Sequence, residues 1–515
     1  MAPMRVRVLL GLALCTGFGA SAQIINAPPR ARLLSLRDCL DLALSRNLDI
    51  QIEHQTAAIA GFNLSGAYGA YVPTFTFGAR HDFASVPSDF DARKFNPYFP
   101  TEITSDTFGP ELNGNLPFGL NYDLSGFLKK ERARTDFSSD PADALNFPGG
   151  IRDTNNYDAE GRLTLRQHLL KDFWIDTDRE LVLVRRKELK MSQQALRFQV
   201  MKTLLAVELS YYDLVAAREN ILVQEKALQL RQQLVTETHR RVEVGDLPPL
   251  DSEQAETQLQ NTLTALSAAR EALAAQQNNL KSLLTDNFRE WADLDLEPKD
   301  VLLALPAQVS RSGSFQSALT NRPDLVEARL AVERSDVMVK FRLNQLFPSL
   351  DLVGRYGGLG SELDSSSALN DVFSFRNPEY FYGVVVSFPL SNLSEKGNYR
   401  ASKAARRIAE LQLQKAEQEV LLQVANFVSR VDSRYSQAGS TRKARTYAEA
   451  ALQAEIKKLQ NGFSTSFVVL QLQEILTAAR MAEIQALADY NKVLAQLAFA
   501  EGSILERHHL TVEVK

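Results

Sequence analysis

The sequence matches itself. "ALSRNLDIQIEHQTAAIAGFNLSGAYGAYVPTFTFGAR" begins at Ala43, and "ALTNRPDLVEARLAVERSDVMVKFRLNQLFPSLDLVGR" begins at Ala318. The two align without a gap: Leu44 with Leu319, Asp49 with Asp324, Pro73 with Pro348 and Arg80 with Arg355. Each segment reads as a helix of about 30 residues, a proline stop and an alternating stretch. Each is followed by a loop, a second alternating stretch and a very long helical run, from about Leu169 and from about Ser394. Both runs break at a glycine, in "EVGDLPPLD" at Gly245 and in "LQNGFSTSF" at Gly462, and a helix returns from each break. The order helix, strand, strand, long helix, turn, helix therefore occurs twice, the mark of a duplication. The expected division is a leader at 1–22, a first repeat at 23–312, a second at 313–506 and a tail at 507–515.

The leader carries Arg5 and Arg7, an apolar core from Val8 to Phe18, and Ala20-Ser21-Ala22 as a small-x-small cleavage site. This predicts export. Cys15 raises the question of lipidation, but Leu14 stands where a small residue is needed. Cys39 would then have no intramolecular partner and reads as a buried small hydrophobe. No later run of about 20 apolar residues suggests a transmembrane helix.

The alternating stretches are two-faced. Phe75, Phe77 and Ala79 oppose Thr74, Thr76 and Arg80. Tyr157, Ala159, Gly161, Leu163 and Leu165 oppose Asp158, Glu160, Arg162, Thr164 and Arg166, and Tyr380, Tyr382, Val384, Val386 and Phe388 form another apolar face. Alone, these fit either a soluble antiparallel sheet or a membrane barrel with apolar residues toward lipid. The helical runs would measure roughly 110 and 100 Å, too long to pack on so small a sheet. Four strands cannot close a barrel, so a spanning sheet must be completed by further copies. "ELNGNLPFGLNYDLSGFLKK", Glu111 to Lys130, also alternates. It reads as an extra hairpin, a strand extension or an ordered external excursion, the last being preferred.

The long runs place small apolar residues at helical spacing, from Ala401, Ala404, Ile408 and Leu411 to Val420, Val424, Phe427 and Val431. Such helices bury only a seam, as in coiled coils.

Taken in order, "ALSRNLDI", "ALTNRPDL", the Pro73 and Pro348 stops, "VVVSFPLSN" and the two glycine breaks resemble outer-membrane efflux proteins of the TolC type. The resemblance implies a homotrimer: a 12-stranded membrane β-barrel shared between subunits, above a long α-helical coiled-coil barrel crossing the periplasm of a Gram-negative cell. Residues 286–313 would form a belt around its middle. It implies a passive exit duct of a tripartite efflux pump or type I secretion system, conducting small molecules or exported polypeptide. The implied partners are outer membrane lipid, a periplasmic adaptor (membrane fusion) protein and an inner-membrane RND, ABC or MFS transporter.

The glycine breaks then become periplasmic tips, with Val244, Gly245, Asp246, Asn461, Gly462 and Phe463 as adaptor contacts. The implied resting gate involves Arg241, Asp251 and Gln471. The second tip departs from the family pattern: Val468 and Gln471 replace two aspartates, Ser464 an arginine and Leu459 a tyrosine. The entrance should therefore be less acidic. Glu474 lies nearby as a possible charge or an ordinary solvated residue.

Other classes find less support. His239 and Glu243 stand four apart on a helix, a possible metal pair or simply a solvated face. There is no P-loop, dinucleotide fingerprint or CxxC. The balance of 58 basic and 62 acidic residues has no basic stripe for nucleic acid. No cofactor, metal or enzymatic activity is expected. The alternative reading is a periplasmic coiled-coil adaptor or structural protein without a barrel.

Overall fold

The computed structural model describes residues 30–86, 101–136, 150–245 and 247–510. The leader with Cys15, the tip residue Asp246 and the end of the tail (511–515) lie outside them, as do 87–100 and 137–149 of the excursion.

The chain begins with β1 (Arg30–Leu34), α1 (Leu36–Arg46) and α2 (Leu48–Ala67). A 3-10 turn (Tyr68–Tyr71) leads into β2 (Thr74–Val86), β3 (Thr101–Asn115), β4 (Leu120–Asp136) and β5 (Ile151–His168). The first helical hairpin is α3 (Thr177–Glu243) and α4 (Pro249–Leu284). Next come α5 (Phe288–Trp291), β6 (Leu294–Pro298), α6 (Arg311–Asn321), α7 (Pro323–Asn344), β7 (Ser349–Glu362), α8 (Ser365–Phe373) and β8 (Pro378–Ser387). The second hairpin is α9 (Leu393–Gln460) and α10 (Ser466–Ala500), followed by α11 (Ile504–Arg507).

The helix preceding each proline is not single. It breaks at Asn47 in the first repeat and at Arg322 in the second, the same register position in both. Asn47 is buried; its side chain accepts from the amides of Asp49 and Ile50 and donates to the Leu283 carbonyl. Arg322 is buried too and holds Asp324 through two nitrogens, at 2.9 and 2.6 Å. Each break is thus a polar anchor, which the helical spacing of the apolar residues does not record.

The first long helix starts at Thr177, not near Leu169. Residues 169–176 are held out of the helix. Leu169 donates to the Leu350 carbonyl, Asp172 (φ 63°) donates its amide to Asn344, and Asp176 caps α3 by accepting from Arg179. At 67 and 68 residues, α3 and α9 each run about 100 Å.

The main correction concerns the sheet. Among the described residues it holds six strands, not four, in the order β2-β3-β4-β5-β7-β8, and every pairing there is antiparallel. The Glu111–Lys130 stretch is neither a strand extension nor an excursion: it is the proximal half of a hairpin inserted between β2 and β5. Register places Phe75, Leu112, Leu124, Leu163 and Tyr356 on one face. Glu111, Asp123, Arg162, Thr164 and Arg355 alternate with them on the other. The apolar face is uncovered over most of its area: Phe75, Phe77, Tyr382 and Val384 are 67, 62, 80 and 60 % exposed. α8 covers one patch of it, seating Ala368 and Val372 against Ala159. It comes so close that a Cβ on Gly360 would collide with the Ala368 carbonyl.

The buried core lies in the helices. Leu196, Val200, Leu204, Val207, Tyr211 and Leu214 of α3 pack with Leu40, Leu280, Leu284, Trp291, Leu296 and Ile504. Val420, Val424, Val428 and Val431 of α9 pack with Leu325, Tyr490, Val493 and Leu497. β1 pairs in parallel with β6 beside the middle of α3. There the Tyr211 hydroxyl donates to Asp300 at 2.7 Å and Tyr490 donates to the Leu305 carbonyl at 2.5 Å. Part of the segment 286–313 thus packs beside the helices near their midpoint.

Candidate functional site: the helical tips

Each tip is built by a left-handed glycine. Gly245 has φ 76° and Gly462 has φ 78°, a conformation that costs an L-residue about 1–2 kcal/mol. At the first tip the Gly245 amide donates to the Val242 carbonyl. Pro248 and Pro249 then start α4, Pro249 standing where a helix needs no amide donor. At the second tip the amides of Gly462 and Phe463 donate to the Leu459 and Lys458 carbonyls, closing the end of α9. The Ser464 hydroxyl donates to Glu455 at 2.6 Å. That bond, with Lys458 beside it, holds the Glu455 carboxyl below its ordinary range.

Apolar side chains gather in the open around these turns. Val244, Leu250, Phe463 and Phe467 are 75, 59, 84 and 63 % exposed.

The expected gate residues do not form one network within a chain. Arg241 is taken up by Glu237 of its own helix at 3.0 Å. Asp251 sits in the first turn of α4, and the structure gives no Arg241–Asp251 ion pair among the described residues. Gln471 lines a cleft of about 480 Å³ between the two hairpins, with Leu250, Gln254, Phe467, Leu470 and Glu474. Glu474 is exposed there, as a solvated residue would be. His239 turns away from Glu243 toward α4, bonding Ser252 at 3.1 Å and Glu256 at 3.4 Å. No cluster of three metal-ligating side chains exists among the described residues.

One residue near the tips carries no signal in the sequence. Arg231 is 6 % exposed, donates to the Leu470 carbonyl at 3.4 Å, and leaves Nη1 without a partner. Burial pushes its pKa down, with Glu474 opposing. It joins the first hairpin to the second. An arginine among many on a polar helix is unremarked until the second hairpin lies beside it.

Comparison with known proteins gives concordant results. Residues 315–503 match the family described as Outer membrane efflux protein. Outer membrane efflux protein BepC of Brucella suis biovar 1 is 24 % identical over 315 residues, 60 % of this chain and 65 % of BepC. The chain thus spans just under two thirds of the length of that relative. Probable outer membrane lipoprotein SilC of Salmonella typhimurium is 24 % identical over 71 % of this chain and 75 % of its own. Among solved structures, the outer membrane protein VceC of Vibrio cholerae superposes with a TM-score of 0.65 at 17 % identity, over 91 % of this chain and 96 % of its own. That likeness fixes the fold: long helical hairpins carrying a sheet at one end.

Proposed function

We propose that this chain, whose residues 315–503 match the outer membrane efflux protein family, is the outer-membrane exit duct of a tripartite efflux pump or type I secretion system. The observation that carries the reading is the pairing of two surfaces at opposite ends of one molecule. At one end is a sheet whose apolar face is open and whose other face is charged. At the other are two hairpin tips about 100 Å away with exposed phenylalanines. A soluble sheet leaves no such face uncovered, because burying it is what stabilises the sheet. A bilayer accepts it, provided the sheet edges are closed by other copies. Three copies, as the resemblance implies, would place the sheets in the outer membrane and the helices in the periplasm. No helix among the described residues is long and apolar enough to cross a membrane.

Transport would be passive, with energy supplied by an inner-membrane RND, ABC or MFS transporter and coupling by an adaptor at Val244, Gly245, Asn461, Gly462 and Phe463. The resting tips would narrow the tunnel through helix packing, with Arg241, Asp251 and Gln471 engaged between copies. An adaptor that binds the open arrangement more tightly would shift the population toward it. The test is single-channel recording in planar bilayers. The purified protein should insert as a low-conductance pore, and Arg241→Ala with Asp251→Ala should raise that conductance severalfold. A double variant conducting like the parent would remove these residues from the gate, and a protein that never inserts would sink the duct.

A further inference from the structure

We infer that the barrel of the assembled duct has eighteen strands, six from each of three copies, with β8 of one copy pairing with β2 of the next. This rests on the reading above, that three copies share one barrel. It departs from the four strands per chain that the duplication alone suggests.

The hairpin β3–β4 is part of the wall. β3 is bonded to β2 from Thr74↔Asn113 to Val86↔Thr101, and β4 is bonded to β5 from Leu120↔Gln167 to Asp136↔Ile151. A four-strand protomer would have to pair β2 directly with β5, breaking both ladders. The hairpin also obeys the inside–outside rule of its neighbours: Phe108, Leu112, Leu124 and Leu128 share the apolar face. Glu111, Asp123 and Lys129 share the charged one. An external decoration has no reason to keep that register. Its turn is seated at the level where strands give way to helices. There Asn115 donates to Asp178 at 3.3 Å, and Pro117 lines a cavity with Tyr68, Tyr71, Trp174 and Phe347.

The two edges identify the occupant. Among the described residues, β2 and β8 each have one unpaired side, over 13 and 10 residues. Each is long enough for a tilted strand to cross a bilayer, which takes about 9–11 residues. Unpaired backbone is not tolerated in lipid. Because the strand number is even and all pairings are antiparallel, β2 and β8 run in opposite directions. A second copy therefore presents the complementary edge, and head-to-tail repetition closes into a ring.

Barrel diameter grows roughly linearly with strand number, so this ring would be about half again as wide as one of twelve strands. The membrane section would then not be the width limit of the duct. The limit would lie in the helical tunnel and its tips, and the exit would pass bulky cargo as readily as small solutes.

The experiment is electron microscopy of the full-length protein extracted from membranes, with the wall counted in cross-section. Eighteen strands around a three-fold axis are expected. A three-fold particle with twelve strands, residues 101–136 folded outside the wall, would overturn this inference and leave the duct intact. A particle without three-fold symmetry or without a barrel would overturn the duct as well. Cysteine pairs provide a second readout that does not need imaging. Phe75→Cys, Phe77→Cys or Ala79→Cys, each combined with Tyr382→Cys, Val384→Cys or Val386→Cys, should give disulfide-linked oligomers in at least one register. Linkage of the same β2 positions to Leu163→Cys or Leu165→Cys on β5 would instead overturn the inserted hairpin.

Discussion

At the scale of single residues, chemistry is set by burial more than by type. Cys39 is fully buried, and desolvation pushes its thiol up to about 12. A protonated, enclosed thiol is a poor nucleophile. The folded protein should therefore resist maleimide at Cys39 at neutral pH and react promptly once denatured; labelling of the native particle would contradict the packing around α1. The tip glycines present the opposite situation. Nothing lies within 4 Å of where a Cβ would stand on Gly245 or Gly462, so space is not their reason. Backbone conformation is. Gly462→Ala should cost the tip about 1 kcal/mol, read as roughly fivefold faster hydrogen exchange of the amides near Phe463, with the sheet unaffected. Phe463→Asp with Val244→Asp should leave assembly intact and weaken adaptor co-purification about tenfold or more, because exposed anchors contribute only when a partner buries them.

Individual elements differ in how openly the sequence declares them. The long helices are plain, because apolar residues recur at helical spacing and a glycine ends each run. The strands β2, β5 and β7 are equally legible, since each alternates against a charged or polar face, and β8 shows itself by the apolar row from Tyr380 to Val386. The break at Asn47 is not. Asparagine in a polar helix carries no mark of its burial, yet here it caps α2 and reaches Leu283 on α4. Asn47→Ala should lower stability by about 1–2 kcal/mol through the lost cap, and more through the orphaned Leu283 carbonyl. A shifted denaturation midpoint of the helical signal would measure it. The hairpin β3–β4 lies between these cases. Its alternation around Leu120, Tyr122 and Leu124 is visible in the sequence, but alternation gives a strand and not its neighbours. Placing it between β2 and β5 needs the ladders themselves.

Over the whole molecule, the long-range contacts tie the two repeats together. Glu208 on α3 is fully buried and bonded to His508 near the other end of the chain. Lys492 on α10 reaches Asp213 on α3 at 2.7 Å, and its acidic partners outweigh burial to raise its pKa. Removing one partner leaves a buried polar side chain without its hydrogen bond. His508→Ala should therefore destabilise the surrounding segment by about 1–3 kcal/mol, seen as earlier proteolysis between α5 and α6, while the tips keep their exchange rates.

The sequence by itself determined the helical hairpins with their glycine ends and the two-faced strands. All of these are periodic or local, and local sterics and hydrophobic spacing write them along the chain. Tertiary structure alone decided the strand count of the sheet, the buried roles of Asn47, Glu208, Arg231 and Arg322, and the partners of His239. Each of those depends on which surface arrives from elsewhere in the fold. A polar side chain looks the same in sequence whether water or a second helix receives it.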